Sequence, residues 1–299
     1  MQKAPASLTG IGLMVASMAC FAIMNTMIRA GSEGMPAAQL VFLRNAMALA
    51  IITPIALAGG REALRTRRLN DHFWRAAVGI CAMELWFYSL SVLPLSLATA
   101  LSFTSPIFAT VFALLFLGER AGMRRWLAIG VGFAGALVIL RPGMGEAMDI
   151  NGVVVLTASA LQAVAATVVK TLTRTERPET IVFYMALFML PLSLPFALWQ
   201  WRPLDSGQLV VAFGVAFFST AAHLLLVRAY QHAPMVVLMP FDFTRLIFTA
   251  VLAYACFGET LDGPTLVGGL IIVASTVYIV HREARTKPRV PVDIEVQKD

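Results

Sequence analysis

Residues 93–119 and 233–259 of this 299-residue chain align without a gap. The first segment reads LPLSLATALSFTSPIFATVFALLFLGE and the second APMVVLMPFDFTRLIFTAVLAYACFGE. Identical pairs include Pro94/Pro234, Phe103/Phe243, Thr104/Thr244, Ile107/Ile247, Phe108/Phe248 and Gly118-Glu119/Gly258-Glu259. A unit written twice in so apolar a chain implies two structurally related halves, the organisation of many membrane carriers.

Hydrophobic residues make up 59% of the chain and charged residues 13%, with a mean hydropathy of +0.77. A soluble domain carries about 25% charged residues, so an ordinary globular fold is excluded. The basic pI of about 9.6 does not imply a nucleic-acid partner. Almost all Lys and Arg lie in short connectors between long apolar runs, where they act as an orientation signal in a bilayer. Cys20, Cys81 and Cys256 sit inside apolar runs without metal spacing and are expected to be buried packing residues. The first apolar run exceeds a signal-peptide core and lacks an A-x-A end, so it is expected to persist as the first span.

A span needs roughly 20 mostly apolar residues. Ten are expected, at about 8–29, 36–58, 73–92, 95–117, 125–141, 151–172, 180–201, 207–229, 235–257 and 263–281. Pro54, Pro106, Pro191, Pro195 and Pro240 are expected to kink or end helices. The fold class is therefore an all-α integral membrane protein of ten transmembrane helices. Its expected units are a first five-helix repeat over residues 1–146, a second, inverted one over 147–285, and a cytoplasmic tail over 286–299.

Charge sets the orientation. With a cytoplasmic N-terminus, that side holds Lys3, Arg61, Arg65, Arg67, Arg68, Arg75, Arg120, Arg124, Arg125, Lys170, Arg174, Arg177, Arg282, Arg285, Lys287, Arg289 and Lys298. The opposite side holds Arg29, Arg141 and Arg202, and Arg44, Arg228 and Arg245 lie within spans. This bias places both termini in the cytoplasm. Five spans per half is an odd number, so the second half enters from the opposite face. The connectors agree: ERAGMRRW after the first copy carries three arginines, whereas its counterpart ETLDGPTL carries none. Inverted repeats of this kind place a ligand near the pseudo-twofold centre at the midplane.

Polar groups inside spans are costly and face a cavity or a partner. Glu84, in CAMELWFYS, reads either as a proton-linked or amine-binding carboxylate or as a neutral acid bonded to another helix or lying in a wet vestibule. Asp242 and Arg245, in PFDFTRLIF, are three apart and share a helix face. They read as a self-neutralising ion pair, or as a clamp with Asp242 for an ammonium and Arg245 for a carboxylate. Their counterparts, Ser102 and Ser105, are neutral, so these charges belong to one half alone. His223 is a packing group or a proton relay. Arg44 binds a carboxylate or snorkels outward. Asn25 and Gln162 hold helices together or line a cavity, and Lys170 snorkels. Among Trp86, Phe87, Tyr88, Phe103, Phe241 and Phe243, the two nearest Glu84 and Asp242 in sequence, Tyr88 and Phe241, are the expected wall residues. The Gly-Glu pairs are expected to end one helix and to place a carboxylate on the N-terminus of the next. The glycines of GVGFAG (130–135) and Gly268-Gly269 suit close helix packing, within the chain or across a homodimer. No GxxxxGK[ST], HExxH, GxSxG or CxxC occurs, so the sequence supports no ATPase, protease, hydrolase or redox enzyme, and no cofactor or metal is expected.

The two repeats, the helix starts PLSLATALSFTSPIF and PMVVLMPFDFTRLIF, and the LGER and FGET turns resemble the drug/metabolite transporter superfamily, of the ten-helix EamA type. Within it the chain is most similar to bacterial aromatic-amino-acid exporters of the YddG type. The resemblance covers residues 8 to 281 and implies alternating access around a cavity lined by the first, third, fourth, sixth, eighth and ninth helices. That points to Asn25, Glu84, Tyr88, Ser102, Gln162, His223 and Asp242, with Phe241 and Arg245 beside them, and leaves Arg44 outside. The expectation is an inner-membrane exporter of apolar or aromatic amino acids or similar small metabolites. An exporter of cationic drugs, or a membrane enzyme or assembly protein without flux, is the alternative.

Overall fold

In the computed structural model, residues 8–32, 34–58, 60, 64–116, 123–140, 150–173, 175–233, 238 and 241–286 are described. Eleven helices lie among them: α1 (Leu8–Gly31), α2 (Ala37–Leu57), α3 (Leu69–Val92), α4 (Leu95–Ser102), α5 (Ser105–Phe116), α6 (Met123–Leu140), α7 (Ile150–Leu172), α8 (Pro178–Trp199), α9 (Ser206–His232), α10 (Thr244–Phe257) and α11 (Gly263–Thr286). Helices satisfy every backbone group locally, which hydrocarbon requires of a spanning segment. α1, α2, α7, α8 and α9 are each long and apolar enough to cross a bilayer alone. α4 and α5 form one crossing broken in the middle. α3 carries Asp71, Arg75 and Glu84 but matches the others in length.

The packing follows a pseudo-twofold axis. α1 lies on α9, and its counterpart α7 lies on α3. α1 also meets α10, as α7 meets α4 and α5. α2 lies on α9 as α8 lies on α3, while α2–α8, α6–α11 and α4–α10 pair each span with its own counterpart. A rotation that exchanges five-span halves must invert one of them, so the fold consists of two inverted repeats.

Both copies of the repeated segment break at the same Phe-Thr pair. Pro106 has no N–H to give the Ser102 carbonyl, and α4 stops at Ser102. Thr104 Oγ1 donates to the Leu101 carbonyl at 2.7 Å, and Thr244 Oγ1 donates to that of Phe241, the equivalent residue, at 2.7 Å. Position 246 is leucine, yet the Leu246 N–H also bonds only three residues back, to Phe243 at 3.0 Å. The Phe103 and Phe243 rings meet edge to face across the axis, with centroids 4.9 Å apart.

Two expectations change. Gly258 ends α10 with φ +67°, as the Gly-Glu reading requires. Glu259, however, does not serve the next helix. Its Oε2 accepts the Leu95 N–H at 2.8 Å, at the start of α4, and its Oε1 lies 3.6 Å from Arg29. Asp262 caps α11 instead, accepting the Thr265 N–H. A helix N-terminus attracts a carboxylate wherever the fold brings one, and pairing α4 with α10 brings Glu259 there. The first Gly-Glu pair, Gly118-Glu119, lies outside the described residues. The cysteines also differ: Cys81 and Cys256 are exposed on the outside of the bundle and only Cys20 is partly buried. A thiol tolerates lipid and needs no protein partner there.

Candidate functional site

The helix breaks open onto a cavity of about 270 Å³, near the lower end of small-molecule pockets. It is lined by α1, α3, the α4–α5 break, α7, α9 and the start of α10, with Arg44 of α2 and Ile181, Val182, Met185 and Met189 of α8 completing the wall. From the level of the breaks it extends past Met14, Arg75, Val169 and Tyr230 toward the end of the bundle where the arginine-rich connectors lie. At the other end the Arg29–Glu259 pair ties α1 to the turn after α10. Arg29 also donates to the Ser91 carbonyl at 2.9 Å, which ties in the end of α3.

The structure brings Asn25, Ser102, Gln162, His223, Asp242 and Arg245 together on the cavity wall. Asn25 Oδ1 accepts the Trp86 indole N–H at 3.3 Å, joining α1 to α3. His223 Nδ1 lies 2.8 Å from the Ser219 carbonyl; a carbonyl only accepts, so Nδ1 carries a proton and Nε2 is the acceptor of the neutral ring. Phe21 packs edge-on against the same imidazole at 5.1 Å. Arg245 Nη2 donates to Ser102 Oγ at 3.1 Å, and its guanidinium stands 5.1 Å from the Phe103 ring centroid. Among the described residues Asp242 and Arg245 form no ion pair, so the self-neutralising pair is not made. The helix break separates the two positions, and Arg245 reaches across the axis to the serine that stands where the second half has Asp242.

Glu84, Tyr88 and Phe241 are not among the lining residues. The α3 side chains that face the cavity are Arg75, Gly79, Ala82, Met83, Trp86 and Phe87, a stripe at helical spacing. Glu84 and Tyr88 are four apart on the opposite side of that helix. Glu84 Oε1 is buried without a hydrogen-bond partner, while Tyr88 is 43% exposed and donates to Asn151 Oδ1 at 3.1 Å. Phe241 packs into a side cluster with Met14, Met18 and Leu238. Trp86, Phe87 and Phe21 supply the aromatic wall instead.

Two arginines change role. Arg44 does not snorkel: it is 1% exposed, donates through Nε and Nη2 to Ser219 Oγ and through Nη1 to Asn45 Oδ1 at 2.7 Å, and lines the cavity. α2 is packed between α8 and α9 at that level and offers Arg44 no outward path. Arg75, expected in a cytoplasmic connector, lies inside α3 at 7% exposure and also lines the cavity. α3 begins at Leu69, which sets Arg75 about 9 Å along the helix axis from its start.

Three comparisons agree with this architecture. A riboflavin transporter of Vibrio cholerae is 30% identical over 288 residues, covering 94% of this chain and 96% of its own. An S-adenosylmethionine uptake transporter of Rickettsia felis is 26% identical over 284 residues, covering 94% and 96%. A pseudopaline exporter, CntI, of Pseudomonas aeruginosa is 27% identical over 288 residues, covering 93% and 97%. A protein of known crystal structure superposes with a TM-score of 0.60 at 16% identity, over 95% of this chain and 99% of that one, and supports the fold. The sequence model of the EamA-like transporter family matches residues 8–141 and again residues 151–281, one match on each inverted half. With its broken helices facing each other across a central cavity, the chain belongs to the EamA-like transporter family, and it is a membrane transporter.

Proposed function

We propose that this transporter moves amino acids with apolar side chains, or metabolites bearing the same α-amino-acid head, across the bacterial inner membrane by alternating access. One observation carries the reading. The two helix breaks place Asp242, Arg245 and Ser102 at one level of a cavity whose other walls are Phe21, Trp86, Phe87 and methionines. An ammonium suits Asp242, a carboxylate suits Arg245, and the apolar walls suit a side chain. S-adenosylmethionine, named for one relative, has such a head. A lipophilic cation fits less well, since among the described lining residues three arginines face a single acid. The residues 1–146 and 147–285 act as the two halves that rock about the site, and the state described, extending to the arginine-rich end, is the cytoplasm-facing one.

A second reading has specific support. The Vibrio relative is a riboflavin transporter, and a flavin ring is a planar ligand for the Trp86 and Phe87 wall. Counterflow in proteoliposomes separates the two. Labelled phenylalanine or S-adenosylmethionine is expected to exchange against its unlabelled form. Exchange of riboflavin alone moves the assignment to the second reading, and exchange of neither amino-acid-headed compound overturns the first.

The direction rests on the orientation, which has its own check. In intact cells, a cysteine replacing Ser206 is expected to react with an impermeant thiol reagent, and one replacing Arg65 to stay protected. Labelling at Arg65 with protection at Ser206 would reverse the orientation and make the same state outward-facing.

A further inference from the structure

The cavity wall is not electrically balanced. Arg44, Arg75 and Arg245 line it, and Asp242 is the sole carboxylate among the described lining residues. The three guanidinium groups are not equivalent. All three nitrogens of Arg44 donate to Ser219 or Asn45, so it works as a strut between α2 and α9. Arg245 is shared between Ser102 and the Phe103 ring, with its Nε alone left buried and unpartnered among the described residues. Arg75 is buried, yet its Nε and Nη1 have no hydrogen-bond partner among the described residues. The acids of its own helix are committed elsewhere: Asp71 is paired with Arg68 at 2.7 Å, and Glu84 lies on the opposite face. A buried donor left unmade is costly, and an unpaired buried charge more so.

On the reading of this cavity as the transport site, we infer that Arg75 is a specificity-determining residue on the ligand's path: the anionic group of the transported compound, a carboxylate or a phosphate, docks on its free nitrogens on the way to or from Arg245. The guanidinium edge that holds Nε is a planar fork that matches two oxygens of either group. Arg75 stands between the helix breaks and the arginine-rich end, on the path along which a ligand enters or leaves. A compound of the same body without the anion leaves the fork unpaired and is rejected, because the site's own polar groups go unsatisfied.

The test uses the purified full chain in lipid nanodiscs and four probes of similar body: 3-phenylpropionate, phenyl phosphate, phenethylamine and phenylethanol. The unfolding midpoint is followed against probe concentration. At least one of the two anions is expected to raise the midpoint, and which one does so separates carboxylate from phosphate. The amine and the alcohol are expected to act at least about tenfold more weakly, the factor that 1.4 kcal/mol represents. Arg75→Gln removes a buried unpaired charge and is expected to fold, with the anion response weakened by about tenfold or more. Arg75→Lys is expected to keep part of it, since it keeps the charge and loses the fork. An unchanged anion response in Arg75→Gln, an equal response to phenethylamine, or no response to either anion overturns the inference. Anion binding that depends on Arg75 without counterflow of any amino-acid-headed compound overturns the proposed substrate and leaves the anion site standing.

Discussion

Gly268→Leu is expected to eliminate most of the folded protein, whereas Gly130→Leu is expected to leave the yield unchanged. Gly132 and Gly135 of α6 and Gly268 of α11 serve close packing inside the chain. A Cβ on Gly268 would lie 2.5 Å from the Gly135 carbonyl oxygen, 2.6 Å from Ile139 Cγ1 and 3.2 Å from the Ile139 backbone nitrogen. Two of those three atoms are backbone and cannot swing aside. Gly135 is the mirror case, with its Cβ position 2.9 Å from the Gly268 carbonyl oxygen. Ser275 Oγ donates to the Ala128 carbonyl at 2.5 Å across the same interface, so the two helices cannot separate without losing a buried bond. Overpacking at such a contact costs about 1–3 kcal/mol for the added Cβ alone, and a leucine adds more. A Cβ on Gly130 meets nothing within 4 Å, which predicts a change within about 0.5 kcal/mol. Monodisperse yield after size exclusion, with the unfolding midpoint of whatever is recovered, measures both. A normal Gly268→Leu protein would show that the α6–α11 interface is looser than described.

Much of the architecture was legible because the bilayer limits the vocabulary. The apolar runs fall on helices, five of which among the described residues are long and apolar enough to cross a bilayer alone, and the ungapped repeat with an odd number of spans per half required inversion. The breaks were half-visible. Pro106 marks one, but Leu246 stands at the equivalent place in the other half, and that break follows from the shared Phe-Thr pair rather than from a proline.

The cavity wall was legible by residue type and not by helix face. Asn25, Ser102, Gln162, His223, Asp242 and Arg245 reach the cavity because polar groups deep in spans have few other places to go. Glu84 met the same criterion and points to the other side of α3, since nothing in CAMELWFYS says which stripe of that helix meets the bundle centre. Closeness in sequence did not place Tyr88 and Phe241 on the wall: Tyr88, four residues from Glu84, shares its face and points away with it, and Phe241, one residue before Asp242, is turned from it by about 100°. Arg75 was hidden by its company. Arg65, Arg67 and Arg68 precede it in one basic run, and only the start of α3 at Leu69 separates these exposed or half-buried members from the buried one. Arg44 was visible as a buried charge, but its partner Ser219 lies 175 residues away.

The central claim is that the paired helix breaks form the transport site, and the flux of Asp242→Asn and Arg245→Gln tests it most directly. The two side chains make no contact ion pair among the described residues, though Arg245 still acts on Asp242 through space, so each single substitution is expected to cost less than the several kcal/mol of a broken contact pair. Each should purify with an unfolding midpoint close to the parent's. Each should also lose at least about tenfold in counterflow, since a charge-assisted contact to the carried molecule is worth 1.4 kcal/mol or more. The double variant should be no better than the worse single one. Its equivalent positions in the first half, Ser102 and Ser105, show that the scaffold accepts neutral residues there. Stable variants without flux are the predicted result. Stable variants with the parent's flux, singly and together, would contradict the account and place the transport path away from the helix breaks.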